Sequence, residues 1–496
     1  MLLGDVPSCV RADNALFLEL AAERLVIAVD PPGHGLSDRP RPGSGPAPFI
    51  DPLAALIEAL TCGPIMVVGD GWGSILALAL VDARPDLVTS VVLRDLPKNI
   101  PDPSESARGL TPTIDGTHLI AQWDSIARDA LFRPQTSSRY ADRVQIDMPS
   151  PAEHHARLID ALRAGVDGDR LRVALQTVNV EQIRTRHGDR IACLGAGMRA
   201  RDCLPQATDL RATLPDCGPG ETGDFGKYLI DVPGGQLMAR GQLHAAGLPL
   251  LGLHDQAGSS HRLDAFLAPF LGSRPIVSID MPGNGGSDAI LAPDEISIEH
   301  YAATVESALQ SLGIDALDVI GRYAGGQTAV ELALRRPDAV RHIVNAGVMI
   351  FEPGDAAEHV AHYAPSFAPL WDGSHLVTAW MAFRSQNLWW PWYDRRAAAI
   401  IRRDAMLNPQ ILHDRIVGAL TAGPFYRAAY LASFRYPMAE RLQALRVPCL
   451  LCDIAGTASF ARIAQAKAAA PTCRTAELVE DIAAWPALFQ DFFASR

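Results

Sequence analysis

The sequence predicts an α/β architecture written twice: two consecutive domains, each a mostly parallel sheet flanked by helices. Three observations carry this. The chain repeats itself over nearly its full length, short aliphatic runs alternate with longer helical patterns, and a glycine-framed pentapeptide stands at one strand-to-helix junction in each half. The repeat is read residue by residue. Leu25 to Asp38 matches Ile276 to Asp288, with Asp30, Pro32, Ser37 and Asp38 answering Asp280, Pro282, Ser287 and Asp288. Gly69-Asp70-Gly71-Trp72-Gly73 answers Gly321-Arg322-Tyr323-Ala324-Gly325, and Arg84-Pro85-Asp86 answers Arg336-Pro337-Asp338. Asp115 to Trp123 then matches Asp372 to Trp380, and Arg157 to Gly165 matches Arg415 to Gly423. The spacing between copies drifts from 250 to 258 positions, which places short insertions in loops.

In the second half, Tyr228 to Val232 and Gln236 to Arg240 flank Pro233-Gly234-Gly235 and read as a hairpin. Leu248–Leu253, Pro275–Ile279, Leu317–Ile320, His342–Asn345 and Pro448–Leu451 read as buried strands. Helices are expected between them, among them Ser297 to Leu312 and Gly326 to Arg336. The first half begins at what corresponds to the third strand, has no room for the hairpin, and ends after a strand expected near Leu210 to Leu214. The Gly-rich stretch Gly218 to Gly223 places the boundary near residue 222, giving domains 1–222 and 223–496.

Composition narrows the function classes. With 496 residues, 48% hydrophobic and 20% charged, the chain has material for at least two cores. A formal charge of −12 argues against nucleic acid and anionic membranes as partners, because both are bound through clustered Lys and Arg. The first residues lack a basic segment followed by an apolar one, and no long uncharged apolar run occurs, so a cytoplasmic protein is expected. The eight cysteines are scattered; buried free thiols are expected rather than a metal or redox centre, with Cys449 and Cys452 on opposite faces of one strand. No cofactor is called for. The composition is compatible with a homo-oligomer.

The succession of D-x-P-G-x-G-x-S-D, a strand ending in G-x-x-x-G, a helix and R-P-D resembles the α/β-hydrolase superfamily, in the branch of epoxide hydrolases, dehalogenases and small esterases. The resemblance covers essentially the whole chain, twice. It implies an eight-stranded sheet with a helical cap after the sixth strand, here about 98–188 and 351–446, and an active site between cap and sheet. It also exposes what is missing. The nucleophile position holds Gly71 in one copy and Tyr323 in the other. The H-G pair that supplies an oxyanion-hole N–H is Gly4-Asp5 and His254-Asp255, and the second N–H falls to Trp72 and Ala324. The acid position after the seventh strand holds Met198 and Gly456; Asp95 is an alternative acid in the first copy alone. The last histidine of the chain, His413, precedes the final strands, and Ser74 reads as an ordinary helix residue, so no Ser-His-Asp relay can be assembled.

Tyr323 stands out among the groups left for chemistry. At a helix N-terminus its phenolate is expected to be favoured, and it is read as a general acid, a donor to a carbonyl, or a ring filling the former pocket. The second cap packs Trp371, Trp380, Trp389, Trp390 and Trp392 into 22 residues, read either as an apolar ligand wall or as cement between cap and sheet. His375, shared with His118, is read as an acid-base group from the cap or as a structural ring. Arg384, one turn from Trp380, is read as a carboxylate binder or a solvated side chain. Glu358-His359-Val360-Ala361-His362 is weak evidence for a metal. The expected ligand is a small, largely apolar carbonyl or carboxylate compound under the second cap, handled by acid-base chemistry without a triad. The competing expectation is a catalytically silent pseudo-hydrolase acting as a binding or scaffold module.

Overall fold

The computed structural model describes residues 1–5, 14–60, 63–97, 111–132, 136–194, 225–243, 245–256 and 258–495. The chain divides into two compact units, Met1–Gly218 with Trp371–Gly373, and Pro219–Leu370 with Ser374–Arg496. The strand expected near Leu210 to Leu214 and the boundary near residue 222 lie outside the described residues.

In the first unit four parallel strands run side by side in the order of the chain: β1 (Leu2–Leu3), β2 (Ile65–Gly69), β3 (Val88–Leu93) and β4 (Ile191–Cys193). The aliphatic run that aligns with a strand of the second half contributes only a single parallel bridge, Leu2 to Ala28. Alternation along β2 sends Val67 to one core, with the Ala47–Ala59 and Trp72–Ala83 helices, and Val68 to the other, with Leu16 and Leu20. The described α-helices of the cap region are Thr117–Leu131, Pro151–Gln176, which is broken at Gly165, and Val180–His187.

The second unit holds the full eight-stranded sheet. Its strands are β5 (Gly226–Val232), β6 (Gly235–Gln242), β7 (Leu250–Leu253), β8 (Ile276–Ile279), β9 (Leu317–Arg322), β10 (Val340–Ala346), β11 (Cys449–Ile454) and β12 (Arg474–Leu478). They are ordered β12-β11-β10-β9-β7-β8-β6-β5. The β5–β6 hairpin and the β6–β8 pair are antiparallel and the rest parallel, so β7 is flanked by β8 and β9 and the sheet reverses order beside it. Both faces are covered, which is why these strands read as continuous apolar runs. Cys449 packs on one face and Cys452 on the other. Cys193, at the end of β4, is exposed, against the expectation of buried thiols.

The repeated turn D-x-P-G-x-G-x-S-D is a structural clasp. Asp280 accepts hydrogen bonds from the N–H of Ser260 (2.5 Å) and Gly286 (2.8 Å), and Ser287 Oγ donates to the Asp280 carbonyl at 2.6 Å. The first unit repeats this with Leu36 N–H on Asp30 (3.3 Å) and Ser37 Oγ on the Asp30 carbonyl (2.6 Å).

The cap of the second unit is fastened to the sheet by a buried amide. Gln327 Nε2 donates to the carbonyls of Met349 (3.2 Å) and Ser433 (3.0 Å), while Ser433 Oγ donates to Gln327 Oε1 at 2.6 Å. This holds the Pro424–Arg435 helix, with Tyr426, Tyr430 and Phe434 at i, i+4 spacing, against the helix that starts after Tyr323. Among the described residues no helix is long and apolar enough to cross a membrane.

The flanking glycines of each pentapeptide are explained by packing. A Cβ on Gly325 would lie 2.1 Å from the Leu253 carbonyl oxygen, and one on Gly73 would lie 2.3 Å from that of Leu3, so the helix start is pressed directly on a strand end. Gly325→Ala is therefore expected to lower the stability of the second unit by on the order of 3 kcal/mol. Gly354→Ala, where a Cβ meets nothing, should change it little; equal denaturation midpoints for the two variants would refute the packing argument.

Candidate functional site

Residues 71 and 323, at the strand-to-helix bend, or elbow, of each unit, share one backbone shape. Gly71 has φ 53° and ψ −124°, and Tyr323 φ 48° and ψ −110°. Tyr323 is the one described non-glycine residue with positive φ, a conformation that costs a non-glycine residue about 1 kcal/mol and persists only when packing enforces it.

In the first unit the space of the absent side chain is taken by Asp5. Its Oδ1 accepts the Trp72 N–H at 2.9 Å and lies 2.1 Å from where a Cβ on residue 71 would stand. The donor that would serve as an oxyanion-hole N–H is thus already occupied by the protein's own carboxylate. Crowding by protein atoms pushes the Asp5 carboxyl up to about 6, with the Asp70 charge adding to the rise and the Trp72 N–H and Arg172 opposing it; the residue still keeps an exposed side. Ser74 is fully buried and donates to the carbonyls of Gly69 (2.9 Å) and Asp95 (2.8 Å), an ordinary helix residue as expected. The side chain of Asp95 is at the surface.

The equivalent aspartate of the second unit behaves differently. Asp255 forms an ion pair with Arg262 at 3.0 Å. Burial works to raise its carboxyl, but the nearby charges of Arg262, Arg322 and Arg415 outweigh it and hold it below the usual value. His254 is buried and spans two loops, its Nε2 accepting the Met281 N–H (2.9 Å) and its Nδ1 donating to the Asp255 carbonyl (2.6 Å), the tautomer this pattern requires.

Tyr323 faces this charged group. Burial raises its phenol above the ordinary value, Asp453 raises it further, and Arg322 only partly opposes them. The expected phenolate is thus corrected: the helix end is outweighed by burial and a neighbouring carboxylate, and the group is a neutral phenol. Asp453 itself is engaged by the Thr457 hydroxyl (3.0 Å), the Ser459 hydroxyl and the Ile454 N–H (2.8 Å). Arg322 stacks its guanidinium 5.3 Å from the ring centres of Phe266 and Tyr323.

The other sequence candidates are placed as follows. Ala324 is buried at the start of the helix. His375 is buried with Nδ1 accepting the Leu370 N–H at 3.2 Å, and His118 does the same for the Thr113 N–H at 3.2 Å. Trp380 is 1% exposed within the cap core, whereas Arg384 is half-buried on the same helix. Trp371 is exposed and Trp392 donates to the Tyr363 carbonyl at 2.8 Å. Trp390 joins the main ring cluster directly, lying 5.4 Å from Tyr363 and 5.5 Å from His359, and Trp392 meets it through Tyr393 at 6.2 Å. His359 is a buried ring in that cluster, and no metal-holding group of three His, Cys, Asp or Glu side chains occurs among the described residues. The wall of the cluster is built by Tyr363, Tyr426, Tyr430, Phe367, Phe383 and Phe434, none of which the sequence reading singled out, although the i, i+4 spacing of three of them was visible.

A family model described as alpha/beta hydrolase fold matches residues 9–135 and 249–428, more than half of the chain. The chain belongs to this family. It is 39% identical over 80 residues to a 2-(acetamidomethylene)succinate hydrolase of Mesorhizobium japonicum, covering 16% of this chain and 29% of that protein. It is 32% identical over 142 residues to a 2-hydroxymuconate semialdehyde hydrolase of a Pseudomonas species, covering 26% and 48%. The chain spans less than half the length of these curated relatives in each match. Among solved structures, an enol-lactonase from Burkholderia xenovorans is similar at 18% identity and a TM-score of 0.43, covering 54% of this chain and 100% of the other. Epoxide hydrolase A from Mycobacterium thermoresistibile is similar at 16% identity and 0.43, covering 54% and 98%.

Two outcomes are expected from the first elbow. Gly71→Ser, which reinstates a side chain at φ 53° against Asp5, should cost about 1–3 kcal/mol in a denaturant titration, and Asp5→Ala should return much of that loss; additive effects would contradict the shared space. Because the folded carboxyl of Asp5 is raised above its unfolded value, it contributes most at low pH, and stability should fall as pH rises from about 4 through about 6. Asp5→Asn, which keeps the acceptor for Trp72, should flatten that part of the profile.

Proposed function

We propose that the chain is a tandem duplication of one hydrolase-fold unit whose second copy binds a small, largely apolar carbonyl or carboxylate compound between cap and sheet. The observation that carries this is the elbow of the second copy. It keeps the strained bend that aims a side chain into the site, and it aims a neutral phenol flanked by Arg322, Asp255 and Asp453. A phenol that holds its proton at neutral pH donates to a carbonyl oxygen; it does not attack one. Turnover, where it occurs, is a lyase, isomerase or water-driven hydrolysis step that passes through no enzyme ester. His375, holding a backbone N–H in the same way as His118, serves to position the cap in this reading.

Duplication is supported by matched detail: the two elbow bends, the two carboxylate clasps, the paired histidines, and a positive-φ glycine at Gly165 and Gly423 within or between cap helices. The first copy is read as catalytically silent because Asp5 occupies its elbow. A binding module without turnover is a second reading for the whole chain, favoured by the absence of any histidine after His413. The relatives' names speak of a succinate and a semialdehyde, which share the carboxylate and carbonyl groups of the proposed ligand.

A panel of esters, enol lactones, aldehydes and short carboxylates, scored for both binding and turnover, tests the reading. Tyr323→Phe is expected to lower any turnover by about a hundredfold while leaving the fold intact. An unchanged rate removes the phenol from the reaction, and binding without turnover selects the second reading. A fluorophosphonate should label neither unit; a covalent adduct at either elbow would overturn the proposal.

A further inference from the structure

The polar atoms beside Tyr323 are unbalanced in one direction. Arg262 from the loop after β7, Arg322 from the end of β9 and Arg415 from the cap helix Pro409–Ala422 all act on the carboxylate of Asp255. Among the described residues, the carboxylates answering these three cations are Asp255, paired with Arg262, and Asp453, already engaged by two hydroxyls and a backbone N–H. The group therefore carries a surplus of about one positive charge.

The hydrogen-bond accounting shows the same surplus. Arg415 uses one terminal nitrogen on Gln386 Oε1 at 3.1 Å, yet its buried Nε has no partner among the described residues. The Nε of Arg322 and the amide nitrogens of Gln386 and Gln256 are likewise buried and unpartnered. Gln256 is 8% exposed and follows Asp255 directly in the chain. All four orphan atoms are donors, and a buried donor left unpaired is unfavourable, so they call for a ligand rich in acceptors. Around them the surroundings are organic: Phe383 lies 5.2 Å beneath the Arg415 guanidinium, Phe266 stacks on Arg322, and Tyr426 and Tyr430 are both buried, with the Tyr426 hydroxyl unpartnered.

We propose that this cluster is the seat of a carboxylate monoanion, held by Arg322 and Arg415 with the amide N–H groups of Gln256 and Gln386, its apolar body lying against Phe383, Tyr426 and Tyr430. This rests on the small-molecule reading above and narrows it to the anionic member of that class. One surplus charge suits a carboxylate; a phosphate dianion would leave a charge unmatched among aromatic rings.

The test is calorimetric titration of the full chain with 4-phenylbutyrate, octanoate, 4-phenylbutyramide, methyl 4-phenylbutyrate and inorganic phosphate. The acids should bind at least tenfold more tightly than the amide and ester, and phosphate least well. Arg415→Gln and Arg322→Gln should each weaken the acids by about ten- to a hundredfold with the amide unaffected. Gln386→Leu, which keeps side-chain volume and changes no charge, should weaken the acids severalfold and guards against misfolding of the arginine variants. Equal affinity for acid and amide, or unaltered affinity in the arginine variants, would overturn the anion seat while leaving the small-molecule reading standing. Tighter binding of phosphate than of the acids would overturn the class of ligand. No binding in either organic series would remove the small-molecule reading together with the seat.

Discussion

The contact on which each unit depends is the one between the first turn of the elbow helix and the end of the neighbouring strand, where Gly325 meets the Leu253 carbonyl and Gly73 meets that of Leu3. At these separations no side-chain carbon fits. The contact fixes the height of the helix over the sheet, forces residues 71 and 323 into left-handed backbone, and sets where their side chains emerge. Everything chemical about the site is arranged around a bend that packing alone maintains.

This explains why the fold is so legible in the chain whichever residue stands at the elbow. The glycines and the Asp30 and Asp280 clasps are required by backbone geometry, and both units have them whatever the middle residue of the elbow is. Position 71 and position 323 are free of that requirement, and the aspartate beside each has followed a different course. With no side chain at 71, Asp5 folds onto the elbow and takes the Trp72 N–H. With a tyrosine at 323, Asp255 turns to Arg262 and becomes part of a charged cluster.

The architecture was legible in the sequence because it is written in local signals: alternation, turn glycines, and a repeat whose matched positions are the structural ones. The hairpin before β7, the mostly parallel sheet and the opposite facing of Cys449 and Cys452 all follow from such signals. The single bridge at Ala28 did not, since the first sheet is narrower at that edge and gives the segment one partner strand only two residues long. The site was less legible. Arg262, Arg322 and Arg415 are far apart in the chain and meet only through the fold, and the Gly4-Asp5 pair gave no sign that the Asp5 carboxyl fills the space above Gly71. Tryptophan density drew attention to the second cap, but the rings that line it are mostly tyrosine and phenylalanine, and Trp380 is spent inside the cap core.

The enforced backbone at Tyr323 reaches beyond the bend itself. The toll of a positive φ varies with the side chain, absent for glycine, modest for asparagine or aspartate and steepest for β-branched residues. The phenol ring also shapes what stands next to it, since a Cβ on Gly347 would lie 2.7 Å from the ring of Tyr323. An exchange at 323 is therefore felt by two positions at once, and the glycine at 347 is the counterpart of the tyrosine it accommodates.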